Sequence, residues 1–167
     1  IKVGFRGVMN TREYGKIPMD LHVYGQHSLR PIAAACAVAA KLGLNSEEIA
    51  HGAAKIRPVP GRMNVLRGAN DSMLIDDTYN SSPAALSAAL QTLYDISASS
   101  KIAVLGSMNE LGSVSAAEHK KIGEMCDPVA LSWVITVGDE ANNYIAPAAK
   151  ARGCQVKTCR NALEAGA

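Results

Sequence analysis

Apolar and polar positions change rhythm along the chain. Residues 1–24 mix β-type residues with Gly and Pro, as in Ile1-Lys2-Val3 and Ile17-Pro18-Met19-Asp20-Leu21-His22-Val23, which predicts short strands and turns without a sustained period. From Pro31 a helix is expected: proline in its first turn, strong helix formers through Ala40 and Lys41, and Gly43 as the stop. Asn45 with Glu48 predicts a capping box opening a second helix, which turns Ile49 and Ala53 inward and ends before Pro58 and Pro60. Those prolines mark the expected boundary between two units.

Beyond them strands and helices alternate. Met73-Leu74-Ile75 is a short apolar strand running into Asp76-Asp77, and Ser82-Pro83 starts a helix with Leu86, Leu90 and Leu93 on one face. Ile102-Ala103-Val104-Leu105 is a second strand, followed by a glycine-containing loop to Gly112, and Ser115 with Glu118 predicts a further capping box. Trp133-Val134-Ile135-Thr136-Val137 is a third strand, ended by Gly138-Asp139; a helix stopped by Gly153 leads to a fourth, Gln155-Val156-Lys157. This order predicts an α/β fold, a Rossmann-like, mostly parallel sheet with helices on both faces. Ligands of such sheets sit at the carboxyl ends of the strands, which places Asp76, Asp77, Gly106 and Asp139 on the expected functional rim.

Composition narrows the function classes. An apolar share of 48% with 19% charged residues describes a globular protein. Seventeen basic against fifteen acidic residues leave a formal +2, too little for the basic stripe that a nucleic acid requires, and aromatics at 4% are too few for base-stacking platforms. The longest apolar stretch, residues 31–40, is far short of a membrane span. Cys36, Cys126, Cys154 and Cys159 form no CxxC and have no histidine at ligand spacing, so buried thiols in a reducing cytoplasm are expected.

The densest polar group is Asp76-Asp77-Thr78-Tyr79-Asn80, after a strand and before a helix. Carboxylates there accept hydrogen bonds from ribose hydroxyls or hold a divalent cation; the same residues equally make a turn and a cap. Arg62, in the stiff Pro60-Gly61-Arg62 turn, is either a phosphate ligand across an interdomain cleft or a solvated surface residue. The loop from Leu105 to Gly112 is neither GxGxxG nor a P-loop, and as a plain strand-to-helix connection it excludes a dinucleotide oxidoreductase more than it identifies anything. Glu118 and His119 form either an acid–base or substrate pair, or a cap beside a structural histidine.

Taken together, Gly25-Gln26-His27, Pro60-Gly61-Arg62-Met63, Ile75-Asp76-Asp77-Thr78-Tyr79-Asn80 with Pro83, and Val104-Leu105-Gly106-Ser107-Met108-Asn109-Glu110-Leu111-Gly112 with His119 resemble the Mur ligase family in order, spacing and strand context over residues 25–140. The resemblance implies three domains in the parent protein. Residues 1–65 are then the tail of the central ATP-binding domain, and residues 66–167 most of the C-terminal Rossmann-like domain. It implies a cytoplasmic ligase of peptidoglycan precursor synthesis, dependent on ATP and Mg²⁺, that joins D-alanyl-D-alanine to a UDP-N-acetylmuramoyl peptide through an acyl phosphate. His27, Arg62, Asp76, Asp77, Tyr79 and Asn80 are then nucleotide residues, with Arg62 on phosphates or ribose and Asp77 on ribose hydroxyls. Asn109, Glu110, Gly112 and His119 lie toward the incoming dipeptide, and no catalytic or metal-binding residue is assigned within the chain.

The family's P-loop, its carbamylated lysine, its UDP-binding domain and its closing Lys-Gly-Ser-Arg strand are not in these residues, so truncation at both ends is expected, and the chain alone is not expected to turn over ATP. Two positions where the family carries asparagine are Ser28 and Pro31, and Ser107 stands where it carries aspartate. The alternative is a non-catalytic Rossmann-like module, binding a nucleotide or a partner, derived from such a ligase.

Overall fold

The alternation of Ile17, Met19 and Leu21 with Pro18 and Asp20 produces a strand with one buried face. In the computed structural model, which describes residues 4–166, this is β2 (Gly15–Leu21), paired antiparallel with β1 (Phe5–Thr11) from Phe5 opposite Leu21 to Thr11 opposite Gly15. The strand expected at residues 1–3 lies outside the described residues. Two helices come next, α1 (Leu29–Lys41) and α2 (Ser46–Ala54), and Gly43 after α1 takes the left-handed φ of +90° that ends a helix. The expected capping box of α2 is present: the Asn45 side chain accepts from the Glu47 and Glu48 amides, and Glu48 accepts from the Asn45 amide at 2.9 Å. Ile17, Met19, Leu21 and Val23 meet Ile32, Cys36, Ile49 and Ala53 in one core.

β3 (Asn64–Arg67) pairs antiparallel with β4 (Met73–Asp76). The Met73 strand therefore folds back on the chain just before it instead of entering the parallel sheet. The link between the two strands, residues 68–72 with Asn70 and Asp71 at left-handed φ, is a short turn that suits antiparallel pairing, since parallel neighbours need a crossover of about a dozen residues or more. Contacts divide the chain into two compact units, one through Tyr79 and the other from Asn80.

The second unit holds α3 (Pro83–Asp95), β5 (Ile102–Gly106), α4 (Ser115–Met125), β6 (Trp133–Val137), α5 (Ala146–Ala151), β7 (Val156–Cys159) and α6 (Ala162–Gly166). Its three strands are parallel in the order β5-β6-β7, with Ile102 opposite Trp133 and Val134 opposite Val156, as the strand–helix alternation predicts. Ala103, Leu105 and Val134 on one face share a core with Leu90 of α3, Ile122 of α4 and Ala149 of α5. On the opposite face Ile102, Val104 and Trp133 are exposed. The capping box expected at Ser115 and Glu118 is not formed: Ser115 is the first residue of α4, its hydroxyl donates to Glu140, and Glu118 pairs with Lys121. Ser115 already has helical φ and ψ (−53°, −53°) instead of the extended backbone of an N-cap, so its oxygen does not turn back to the Glu118 amide.

All four cysteines are free and buried, as expected. Burial pushes the Cys126 thiol up to about 12, so it stays protonated and inert. Among the described residues no helix is long and apolar enough to cross a membrane.

Candidate functional site

In the first unit the candidate chemistry gathers at residues 59–63. Val59 accepts the Arg62 amide at 3.0 Å, closing a turn, and Gly61 within it has φ +74°. A Cβ on Gly61 would stand 3.1 Å from that of Tyr79, so both its φ and its surroundings ask for glycine. Met63 is buried at φ +48°, a conformation that persists only where surrounding bonds over-determine it. They do so here. Asp76 Oδ2 accepts the Gly61 amide at 3.1 Å, Asp77 Oδ1 accepts the Met63 amide at 3.0 Å, and the Gly61 carbonyl accepts the Tyr79 amide at 3.1 Å.

Asp76 Oδ1 is also occupied, by the Thr78 hydroxyl at 2.7 Å and its amide at 3.3 Å. The Thr78 hydroxyl first, and the backbone amides of Thr78 and Gly61 after it, hold the Asp76 carboxyl below the usual carboxylate range. A depressed pKa means stability that is complete above the ordinary carboxylate value, about 3.9, and lost as pH falls through the folded value. Asp76→Asn is therefore expected to narrow the gap in unfolding midpoint between pH 7 and pH 3. An unchanged pH dependence would show that Asp76 does not clamp the loop.

Arg62 rises from this clamped loop with its guanidinium carbon 4.3 Å from the centre of the Tyr79 ring. That is cation–π distance, yet Tyr79 is 74% exposed, and among the described residues Arg62 donates no side-chain hydrogen bond and forms no ion pair. The second oxygen of Asp77 is likewise without a partner among the described residues. His27 is exposed, in the 3₁₀ turn Gln26–Ser28, and Ser28 donates its hydroxyl to the Tyr24 carbonyl at 2.6 Å. Asn80, at the start of the second unit, accepts the Ser81 amide at 2.9 Å.

In the second unit the loop after β5 meets the turn after β6. The Ser107 amide donates to the Val137 carbonyl at 3.2 Å, and Ser107 Oγ accepts the Ala141 amide at 3.2 Å, at the start of one turn of π-helix, Ala141–Ile145. Met108 is buried, and its amide donates to His119 Nε2 at 2.8 Å. His119 is 0% exposed, with Nδ1 2.9 Å from the Ser115 carbonyl and 3.2 Å from its hydroxyl. Asn109, Glu110 and Gly112 face solvent above it, with Glu110 at φ +63° and Gly112 at φ +55°.

Sequence reasoning singled out Arg62 on its turn and Asp76, Asp77 and Tyr79 as part of one polar run, and the first unit brings these four together. It missed Thr78 as the partner of Asp76, although Asp-x-Thr is a local turn signal, and it missed Glu140, for which no local signal exists.

The family model described as Mur ligase, glutamate ligase domain, matches residues 61–167. The UDP-N-acetylmuramoyl-tripeptide–D-alanyl-D-alanine ligase of Escherichia coli K12 is 30% identical over 128 residues, covering 77% of this chain and 28% of that protein. The enzyme of the same name from Mycobacterium leprae is 35% identical over 149 residues, covering 80% and 29%. Among solved structures, MurF from Acinetobacter baumannii superposes with a TM-score of 0.82 at 30% identity over 99% of this chain and 35% of that one. MurF from Thermotoga maritima in complex with ADP gives 0.76 at 25% identity over 96% and 35%. The chain spans less than a third of the length of these two curated relatives. With a matching family model over well more than half of its residues, and with the Arg62 and Asp76-Asp77 elements inside that match, the chain belongs to the Mur ligase family.

Proposed function

We propose that the full-length protein carrying this chain is an ATP-dependent ligase that joins D-alanyl-D-alanine to a UDP-N-acetylmuramoyl peptide. The observation that carries this reading is residues 59–63: an arginine with unused donors, stacked on an exposed aromatic ring, on backbone pinned by two successive carboxylates. A guanidinium held this way meets phosphate oxygens in a bidentate manner with little further ordering. The names of the curated relatives and the ADP bound to the Thermotoga maritima structure support the same assignment.

The two carboxylates divide the work. Both oxygens of Asp76 are taken by Gly61 and Thr78, so Asp76 holds the loop; Asp77 keeps an oxygen for the ribose hydroxyls. Tyr79 offers a flat face beside the nucleotide, and His27 and Asn80 are assigned to it by the family motif alone. Asn109, Glu110 and Gly112 meet the incoming dipeptide, with His119 beneath them fixing the Met108 amide. Residues 1–65 are then the end of the central ATP-binding domain and residues 66–167 most of the C-terminal one.

In this reaction ATP supplies the phosphoryl group that turns a peptide carboxylate into an acyl phosphate; the dipeptide nitrogen then displaces phosphate and loses a proton as the amide forms. The chain's own contribution is placement. Arg62 offsets charge developing on the phosphate oxygens, and the loop of residues 106–112 orients the amine. Among the described residues no three His, Cys, Asp or Glu side chains stand together, and a magnesium ion accompanying ATP would take its oxygens chiefly from the phosphates and from water.

The test is ADP release by the full-length protein. Release that requires both the UDP-N-acetylmuramoyl peptide and D-alanyl-D-alanine is the expected result, and the isolated 167-residue chain should release none. The reading as a non-catalytic module is favoured by one observation: Ser28 spends its hydroxyl on Tyr24, and Pro31 has no amide donor to offer an adenine. No ADP release from the full-length protein would favour that module, whereas release independent of the dipeptide would keep an ATP-cleaving enzyme and overturn the D-alanyl-D-alanine assignment.

A further inference from the structure

The polar groups under residues 106–112 form a chain with one direction. Because the Met108 amide donates to His119 Nε2 at 2.8 Å, that nitrogen carries no hydrogen, and the ring hydrogen sits on Nδ1. Nδ1–H is shared between the Ser115 carbonyl at 2.9 Å and the Ser115 hydroxyl oxygen at 3.2 Å. The Ser115 hydroxyl gives its own hydrogen to Glu140 Oε2 at 2.6 Å. Direct contact between Glu140 and the ring is too long for a hydrogen bond, at 3.9 Å, so the carboxylate acts through the serine. The chain runs from a buried loop amide, through a fully buried ring, to a half-exposed carboxylate that ends it with charge.

A second link lies beside the first. Ala141, next to Glu140, donates its amide to Ser107 Oγ, so the turn after β6 holds both ends of the Ser107-Met108 step. The backbone just beyond Met108 needs such holding: Glu110 occupies a left-handed φ that side-chain-bearing residues rarely adopt.

We propose that Glu140 is a positioning residue for the loop of residues 106–112, acting through Ser115 and His119. Its bearing on the reaction rests on the proposed ligase function, in which this loop receives the amine substrate. Glu140 touches no proposed substrate atom; it sets where Asn109 and Glu110 stand.

The test is hydrogen exchange of the amides of residues 106–112, read by mass spectrometry in the full-length protein without substrates. Glu140→Ala is expected to speed that exchange about tenfold, the effect of losing one charge-assisted hydrogen bond from a supporting chain. Glu140→Gln keeps an acceptor oxygen for the Ser115 hydroxyl and is expected to retain most of the protection. Ser115→Ala should match Glu140→Ala, and the double variant should be no faster than either alone, since both cut the same chain. Unchanged exchange in Glu140→Ala and Ser115→Ala overturns the proposal, as does a rise spread evenly over the second unit. KM for the dipeptide separates the two readings. Faster exchange with unchanged KM keeps the positioning role and sinks the amine-side assignment; raised KM with unchanged exchange does the reverse.

Discussion

Replacing Arg62 with alanine is expected to lower kcat/KM for ATP by about 10²-fold or more in the full-length protein, with little change in the unfolding midpoint. The two halves of that expectation have different causes. Arg62 is exposed and its side chain has no partner among the described residues except the face of Tyr79, so removing it frees little folding energy. Its fork of donors is what the loop presents, and phosphoryl transfer depends on charge placed in advance. Lysine is not expected to restore activity, because it keeps the charge but loses the planar fork and most of the stacking. Tyr79→Phe should keep the stack and stay close to the unsubstituted rate. If Arg62→Ala leaves kcat/KM for ATP intact, the assignment of residues 59–63 to the nucleotide fails.

Gly123→Val is expected to destabilise the second unit by about 3 kcal/mol or more, and Gly123→Ala by up to about 2 kcal/mol, read as lowered urea midpoints. A Cβ on Gly123 would stand 2.5 Å from the Ile145 carbonyl oxygen and 2.6 Å from the Ala148 Cβ. The nearer atom is backbone, so no rotamer change relieves the clash, and α4 would have to move off the turn before α5. Two terms compete in the alanine variant. Helix propensity favours alanine over glycine by about 0.8–1.0 kcal/mol, and overpacking costs about 1–3 kcal/mol, so the clash wins. Gly52 in α2 is the control, since nothing lies within 4 Å of its added Cβ. There alanine is expected to stabilise by about 0.4–1 kcal/mol, and a Gly123→Ala variant that behaves like Gly52→Ala would refute the close approach.

Much of the fold was legible because its signals are local. The α2 capping box spans four residues, the Pro83 start of α3 is a single residue, and the parallel strands announce themselves as short apolar runs. The same logic failed at Ser115, whose expected partner was three residues away and whose actual partner, Glu140, is 25 away. It failed again at Met73, where a short apolar run looks the same whether its neighbour will be parallel or antiparallel. At the candidate site, residue type and order pointed to Arg62, Asp76, Asp77 and Tyr79, but not to which carboxylate is used up in holding the loop.

The sequence by itself determined most of the order of elements, though not β3 or α6, together with the α/β class and, through an ordered set of motifs, the family. Only the tertiary structure decided which partner each polar group takes. Asp76 and Asp77 reach back 15 and 14 residues to the Gly61 and Met63 amides, and His119 reaches back 11 to the Met108 amide. The physical reason is range. Periodicity and caps are written in residues within a few positions of one another, whereas a hydrogen-bond acceptor from another element exists only once packing has delivered it, and burial then makes that bond costly to leave unmade.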